Sequence, residues 1–118
     1  MNIFQELATN NKKSYIHSHG IDYSYDRLIQ DAEKFSSFTI NRPLVFIVAN
    51  NSYDCLTGYV GLLRANAVVA LINDSIHESI WNDLVIKFKP LFIYQPNNHF
   101  QCEKVWEKKF KFGKYALY

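Results

Sequence analysis

Three apolar strand-like runs, two amphipathic stretches between them and a glycine-centred turn ahead of them predict an α/β fold. The expected architecture is three-layered with a partly parallel sheet: a βαβαβ unit preceded by a helix and a β-hairpin. Strands separated by helices cannot pair through tight turns, so they should run parallel with right-handed crossovers. At 118 residues, the chain suits one domain or a piece of a larger one.

The elements follow in order. Ile3, Phe4, Leu7 and Ala8 fall at helical spacing and predict a short amphipathic helix ending in the polar run 9–13. Tyr15-Ile16-His17-Ser18 and Ile21-Asp22-Tyr23-Ser24 read as strands joined around His19-Gly20, with Gly20 supplying the positive φ of a tight turn. Ser24 is a candidate N-cap for a helix with Tyr25, Leu28, Ile29, Ala32 and Phe35 on one face. Leu44-Val45-Phe46-Ile47-Val48-Ala49 is apolar throughout, as in a strand covered on both faces, and Pro43 stands at its edge. A second helix should follow Asn50-Asn51-Ser52, with Leu56, Tyr59, Val60 and Leu63 inward. Residues 67–72 then read as another buried strand. Ser75-Ile76-His77-Glu78 has the form of a capping box for a third helix, whose inward positions are Ile80, Trp81, Leu84, Val85 and Phe88. Lys89-Pro90 ends that helix, Leu91-Phe92-Ile93-Tyr94 is the third strand, and Gln95-Pro96-Asn97-Asn98 reads as a loop. Tyr115-Ala116-Leu117-Tyr118 has the composition of a final strand. These readings divide the chain into helix and hairpin (1–24), α/β core (25–94) and a basic aromatic tail (95–118).

Composition narrows the class. Nine Phe, eight Tyr and two Trp supply ample core material and argue against a disordered chain. A formal charge of +2 does not call for a nucleic-acid partner. Cys55 and Cys102 are far apart without metal-ligand spacing, and read as incidental thiols in a reducing compartment. The first residues lack a basic segment and apolar run, and no stretch approaches the length of a bilayer span. A soluble, cytoplasmic chain without a membrane or nucleic-acid partner is therefore expected.

Candidate chemistry is sparse. Asn50-Asn51-Ser52 stands where anions bind, between strand and helix, but contains no glycine to let backbone approach a phosphate; a plain N-cap is the better reading. Asp74-Ser75, after the next strand, reads likewise as a cap. His17 and His19 share a strand face without a third ligand, and His77 and His99 have no evident nucleophile or base beside them. Asp54 next to Cys55 would raise a thiol pKa, the wrong direction for activation. Lys104, Lys108, Lys109, Lys111 and Lys114 alternate with Trp106, Phe110, Phe112 and Tyr115, which suits a solvated basic face over buried rings better than a nucleic-acid surface. No catalytic, cofactor-binding or metal residue is assigned.

From about Ser24 to Tyr94 the order of segments resembles the N-terminal part of the adenylate-forming superfamily: acyl-CoA synthetases, luciferases and peptide-synthetase adenylation domains. The matching segments are Ser24-Tyr25-Asp26-Arg27-Leu28, residues 45–52, Arg64-Ala65-Asn66-Ala67-Val68-Val69-Ala70-Leu71-Ile72-Asn73, and Lys87-Phe88-Lys89-Pro90-Leu91-Phe92-Ile93. Asn66 stands for a family glycine and Ala70 for a family proline. Asn is the usual substitute where a helix must end on a left-handed residue. The resemblance implies a parent that activates a carboxylic acid with ATP and magnesium and passes it to a thiol. The Ser/Thr/Gly-rich phosphate loop, the ribose aspartate, the magnesium region and the late lysine of that family have no counterpart in this sequence, so the segment alone is not expected to catalyse. The expected partners are the rest of such a parent or a second copy in a homodimer, with the aromatic tail as an alternative cover within one chain. A stand-alone interaction module that kept the scaffold is the other reading.

Overall fold

The structure, a computed structural model, describes residues 15–18, 20–38, 41–100 and 108–118. The helix expected at residues 3–8 lies outside them. Strands β1 (Tyr15–Ser18) and β2 (Ile21–Ser24) form the antiparallel hairpin, with Gly20 at a φ of 77°, where a side chain would be strained. Ser24 Oγ accepts from Arg27 N at 3.1 Å, capping helix α1 (Tyr25–Ala32). A 3₁₀ segment, Glu33–Phe38, then carries Phe35 into the core.

Strands β3 (Leu44–Ala49), β4 (Val68–Asn73) and β5 (Phe92–Pro96) run parallel, joined by helices α2 (Tyr53–Arg64) and α3 (Glu78–Phe88). This is the expected βαβαβ unit. Strands β6 (Phe110–Phe112) and β7 (Tyr115–Leu117) form an antiparallel hairpin, and β7 pairs antiparallel with β5. The result is a compact α/β domain with one mixed five-stranded sheet, in the order β4-β3-β5-β7-β6.

Strand alternation sets the layers. Val45, Ile47, Tyr94, Tyr115 and Leu117 point to one face, where they pack with Phe35 and with Cys55 and Leu62 of α2. Phe46, Val48, Ile93, Ala116 and Tyr118 point to the other, against Trp81 of α3 and Phe100. Leu28, Ala32, Tyr53 and Val60 attach α1 to α2 in a further cluster. Among the described residues no helix is long and apolar enough to cross a membrane.

Several elements depart from the sequence reading. On α2, Val60 is buried as expected, but Leu56, Tyr59 and Leu63 are only half-buried, while Tyr53, Cys55, Thr57, Gly58, Gly61 and Leu62 are the other buried positions. The helix is covered on two sides, by the sheet and by α1, so a single apolar stripe underestimates its contact. On α3, Trp81 alone is buried, and Ile80 and Phe88 are exposed. That helix meets the sheet on one side only among the described residues, leaving a groove of about 310 Å³ bounded by Leu44, Phe46, Ala70, Ile72, Leu84 and Phe88.

The capping box at residues 75–78 does not form. Asn73 Oδ1 takes Ser75 N at 2.8 Å and Ser75 Oγ at 2.7 Å. This local turn outcompetes the cap. His77 becomes the N-cap instead, its Nδ1 accepting from Ser79 N at 3.2 Å. Lys89 ends α3 in the left-handed region at φ 49°, with Pro90 next, as the dipeptide implies. β4 is an edge strand whose Val68 and Leu71 are exposed, rather than a buried one. Gln95 and Pro96 belong to β5, not to a loop, because β7 extends the pairing: Gln95 lies opposite Ala116 and Pro96 opposite Tyr115. Buried Gln95 is satisfied by Phe100, whose carbonyl accepts from Nε2 at 2.8 Å and whose N donates to Oε1 at 3.2 Å.

Candidate functional site

The strand order reverses at β3: the chain leaves it for β4 on one side and returns to β5 on the other. In open α/β sheets, ligands gather beyond the carboxyl ends of strands at such a reversal. A cleft of about 360 Å³ opens there, bounded among others by Tyr23 of the hairpin, Asn50, Ser52 and Asp54 after β3, and Lys114 and Tyr115 of the last hairpin. A second cleft of about 370 Å³ shares Ser18, Asn50, Ser52 and Tyr53 and extends under His17 and Tyr59.

Several of the polar groups around these clefts are committed to the fold. Ser52 Oγ accepts from Cys55 N at 3.1 Å, the N-cap bond of α2, and Asn50 Oδ1 accepts from Ser52 N at 3.1 Å. Asp54 spans the crevice: its carboxylate accepts from Lys114 N at 3.0 Å, and its carbonyl accepts from the Tyr94 hydroxyl at 2.6 Å. The Tyr115 hydroxyl donates to Val48 O at 2.6 Å. Ser18 Oγ accepts from Tyr53 N at 3.0 Å, while the Tyr53 hydroxyl donates to Asp31 at 2.7 Å. The Tyr23 and Tyr53 rings stack at 3.6 Å, fastening the hairpin to α2. In this glycine-free loop Ser52 Oγ and Asn50 Oδ1 are engaged at the start of α2, which is the plain N-cap arrangement.

Three of these phenols are held protonated. Burial first, and then the hydrogen bond to Asp31, raises the pKa of Tyr53. Burial followed by the Asp54 charge raises that of Tyr94. Burial, followed by the influence of neighbouring Cys55, raises that of Tyr115. Because the unfolded phenols ionise near pH 10, the unfolded state loses protons first as pH rises. Stability from these groups is complete below about pH 10 and falls above it. Alkaline titration should therefore show part of the phenolate absorbance arriving together with unfolding by circular dichroism. Full phenolate absorbance while the fold persists would contradict the burial.

The remaining sequence candidates go separate ways. His17 Nδ1 lies 2.7 Å from Asp22 Oδ1, an exposed pair across the hairpin, and His19 lies outside the described residues. His77 serves as a cap, and His99 Nε2 donates to Asp74 O at 2.9 Å. Cys55 is buried in the core, while Cys102, Lys104 and Trp106 lie outside the described residues. Lys108, Lys109, Lys111 and Lys114 are exposed beside half-buried Phe110 and Phe112 and buried Tyr115. Among the described residues no group of three or more His, Cys, Asp or Glu is placed to hold a metal ion.

Sequence reasoning missed the junction of Asp54 with Lys114, which are 60 positions apart. Its one local signal is Gly113, at a φ of 56°, where any Cβ would collide with the Asp54 carboxylate. Compared with known proteins, the chain matches no family model and no curated protein.

Proposed function

We propose that these residues form the N-terminal scaffold of a cytoplasmic, AMP-binding ligase that activates a carboxylate with ATP and does not catalyse through this segment alone. The observation that carries the reading is Asn66. It stands where the resembling family has glycine, directly between α2 and β4, and it adopts the left-handed φ of 67° that such a position demands. The order of strands and helices from Ser24 to Tyr94 supports the same reading. ATP and magnesium would be held by other parts of the parent, a division supported by the glycine-free loop after β3, whose Asn50 and Ser52 side chains serve the start of α2. This segment contributes a rigid wall at the sheet's reversal, and its partner is the remainder of that enzyme.

Titration calorimetry with ATP and magnesium is expected to give a dissociation constant no tighter than about 1 mM, or weaker than roughly 4 kcal/mol of binding. Micromolar binding, or carboxylate-dependent pyrophosphate exchange by this chain, would overturn the scaffold role. The downstream reading frame tests the parentage. A Ser/Thr/Gly-rich loop encoded soon after Tyr118 supports it, and an immediate stop codon favours a stand-alone interaction module.

A further inference from the structure

The two edges of the sheet are built differently. β6 closes one with three residues, Lys111 among them and Lys109 just ahead. A short edge guarded by lysine resists further pairing. β4 forms the other with six residues that include neither a charge nor a proline. Among the described residues that strand carries none of the usual guards.

The ladder fixes which backbone groups point outward. Val68 N donates to Pro43 O at 2.9 Å and Asp74 N to Ala49 O at 3.2 Å, so the even-numbered residues of β4 bond to β3. In a strand the N–H and C=O of one residue point the same way. Val69, Leu71 and Asn73 therefore turn theirs to the free edge. Leu71 is the middle one, and its side chain is 54% exposed.

We propose that β4 pairs antiparallel with β4 of a second copy of this chain, about a twofold axis at Leu71, merging the two sheets. A twofold axis normal to a sheet brings one residue against its own counterpart. Placing it at Leu71 pairs all three outward residues, with Val69 opposite Asn73 on either side. The two exposed leucines then cover each other. Ala70 and Ile72, which border the apolar groove beside α3, meet their counterparts' groove on the opposite face.

Charge complementarity favours a second copy over an unrelated strand. α3 leads from the end of β4 back to the start of β5, so Asp74 and Glu78 lie at the carboxyl end of β4. Lys87 and Lys89 lie at the other end of α3, toward the amino ends of the strands, where Leu91 N donates to Leu44 O of the neighbouring β3. The antiparallel copy reverses this order and sets its basic end beside the acidic end of the first.

Sedimentation equilibrium over a roughly hundredfold concentration range should show a concentration-dependent rise from the 13.8 kDa chain to twice that mass. Leu71→Lys should leave only monomer with an unchanged circular dichroism spectrum, because it restores the missing edge charge. Ile86→Lys, at a site that is 70% exposed on α3, should dimerise as before. Oxidation supplies a readout of register that does not depend on affinity. In a Cys102→Ser background, Leu71→Cys should form a covalent dimer, since facing Cα atoms about 5.5 Å apart can be bridged by a disulfide. Val68→Cys should not, its counterpart lying about 20 Å away along the strands. A wild-type monomer at every concentration would overturn the proposal. So would a dimer that survives Leu71→Lys, or one that Val68→Cys cross-links as readily as Leu71→Cys.

Discussion

Replacing Trp81 with alanine is expected to remove about 3–5 kcal/mol of stability, a loss that leaves a small domain partly or wholly unfolded at room temperature. Trp81 is 2% exposed and is the only buried residue of α3. Its ring stacks on Phe100 at 4.5 Å and meets Phe46 of β3 obliquely at 5.8 Å. Truncation would open a cavity between helix and sheet and release Phe100, whose backbone satisfies buried Gln95. Phe88, three positions beyond Trp81 on the same predicted stripe, is 51% exposed. Phe88→Ala should cost only about 1 kcal/mol, in proportion to the area it buries. Denaturant melts of the two variants measure the difference, and equal losses would mean that α3 is rotated from its described orientation.

The second large effect is expected at Gly58→Ala. Gly58 sits on the α2 face that meets β5, and a Cβ there would overlap the Tyr94 ring. A flexible side chain would move aside, but Tyr94 is fully buried and its hydroxyl is bonded to Asp54 O at 2.6 Å. The helix must therefore lift from the sheet, against which the small gain in helix propensity counts for little. Overpacking of this kind costs about 1–3 kcal/mol, and the rigid ring argues for the upper end. A double-mutant cycle isolates the cause: in a Tyr94→Leu background, Gly58→Ala should lose most of its effect. Additive losses would place the strain elsewhere, for instance on the helix backbone itself. Gly61→Ala offers a parallel case on the α1 side, where the added Cβ would lie 2.5 Å from Ala32 O and 3.0 Å from Phe35.

Local chemistry alone determined the skeleton. The continuous apolar run of β3 reads as a strand covered on both faces, Ser24 and Ser52 cap the helices that follow them, and Gly20, Asn66 and Lys89-Pro90 end elements where left-handed or proline geometry requires it. Each depends on residues within a turn of one another, so the sequence states them directly. The tertiary structure decided whatever depends on distant neighbours. α2 is buried on two sides because α1 folds over it. Ser75 loses its cap to Asn73, and Gln95 becomes strand because β7 arrives to pair with it. The crevice belongs to the same class: Asp54 and Lys114 meet only through a hairpin that closes the sheet from the far end of the chain. The unguarded edge is legible as a strand without charge, but only the order of strands reveals that β4 is the one left outside. Periodicity reports which side of an element is apolar, while chain folding decides how many sides are covered.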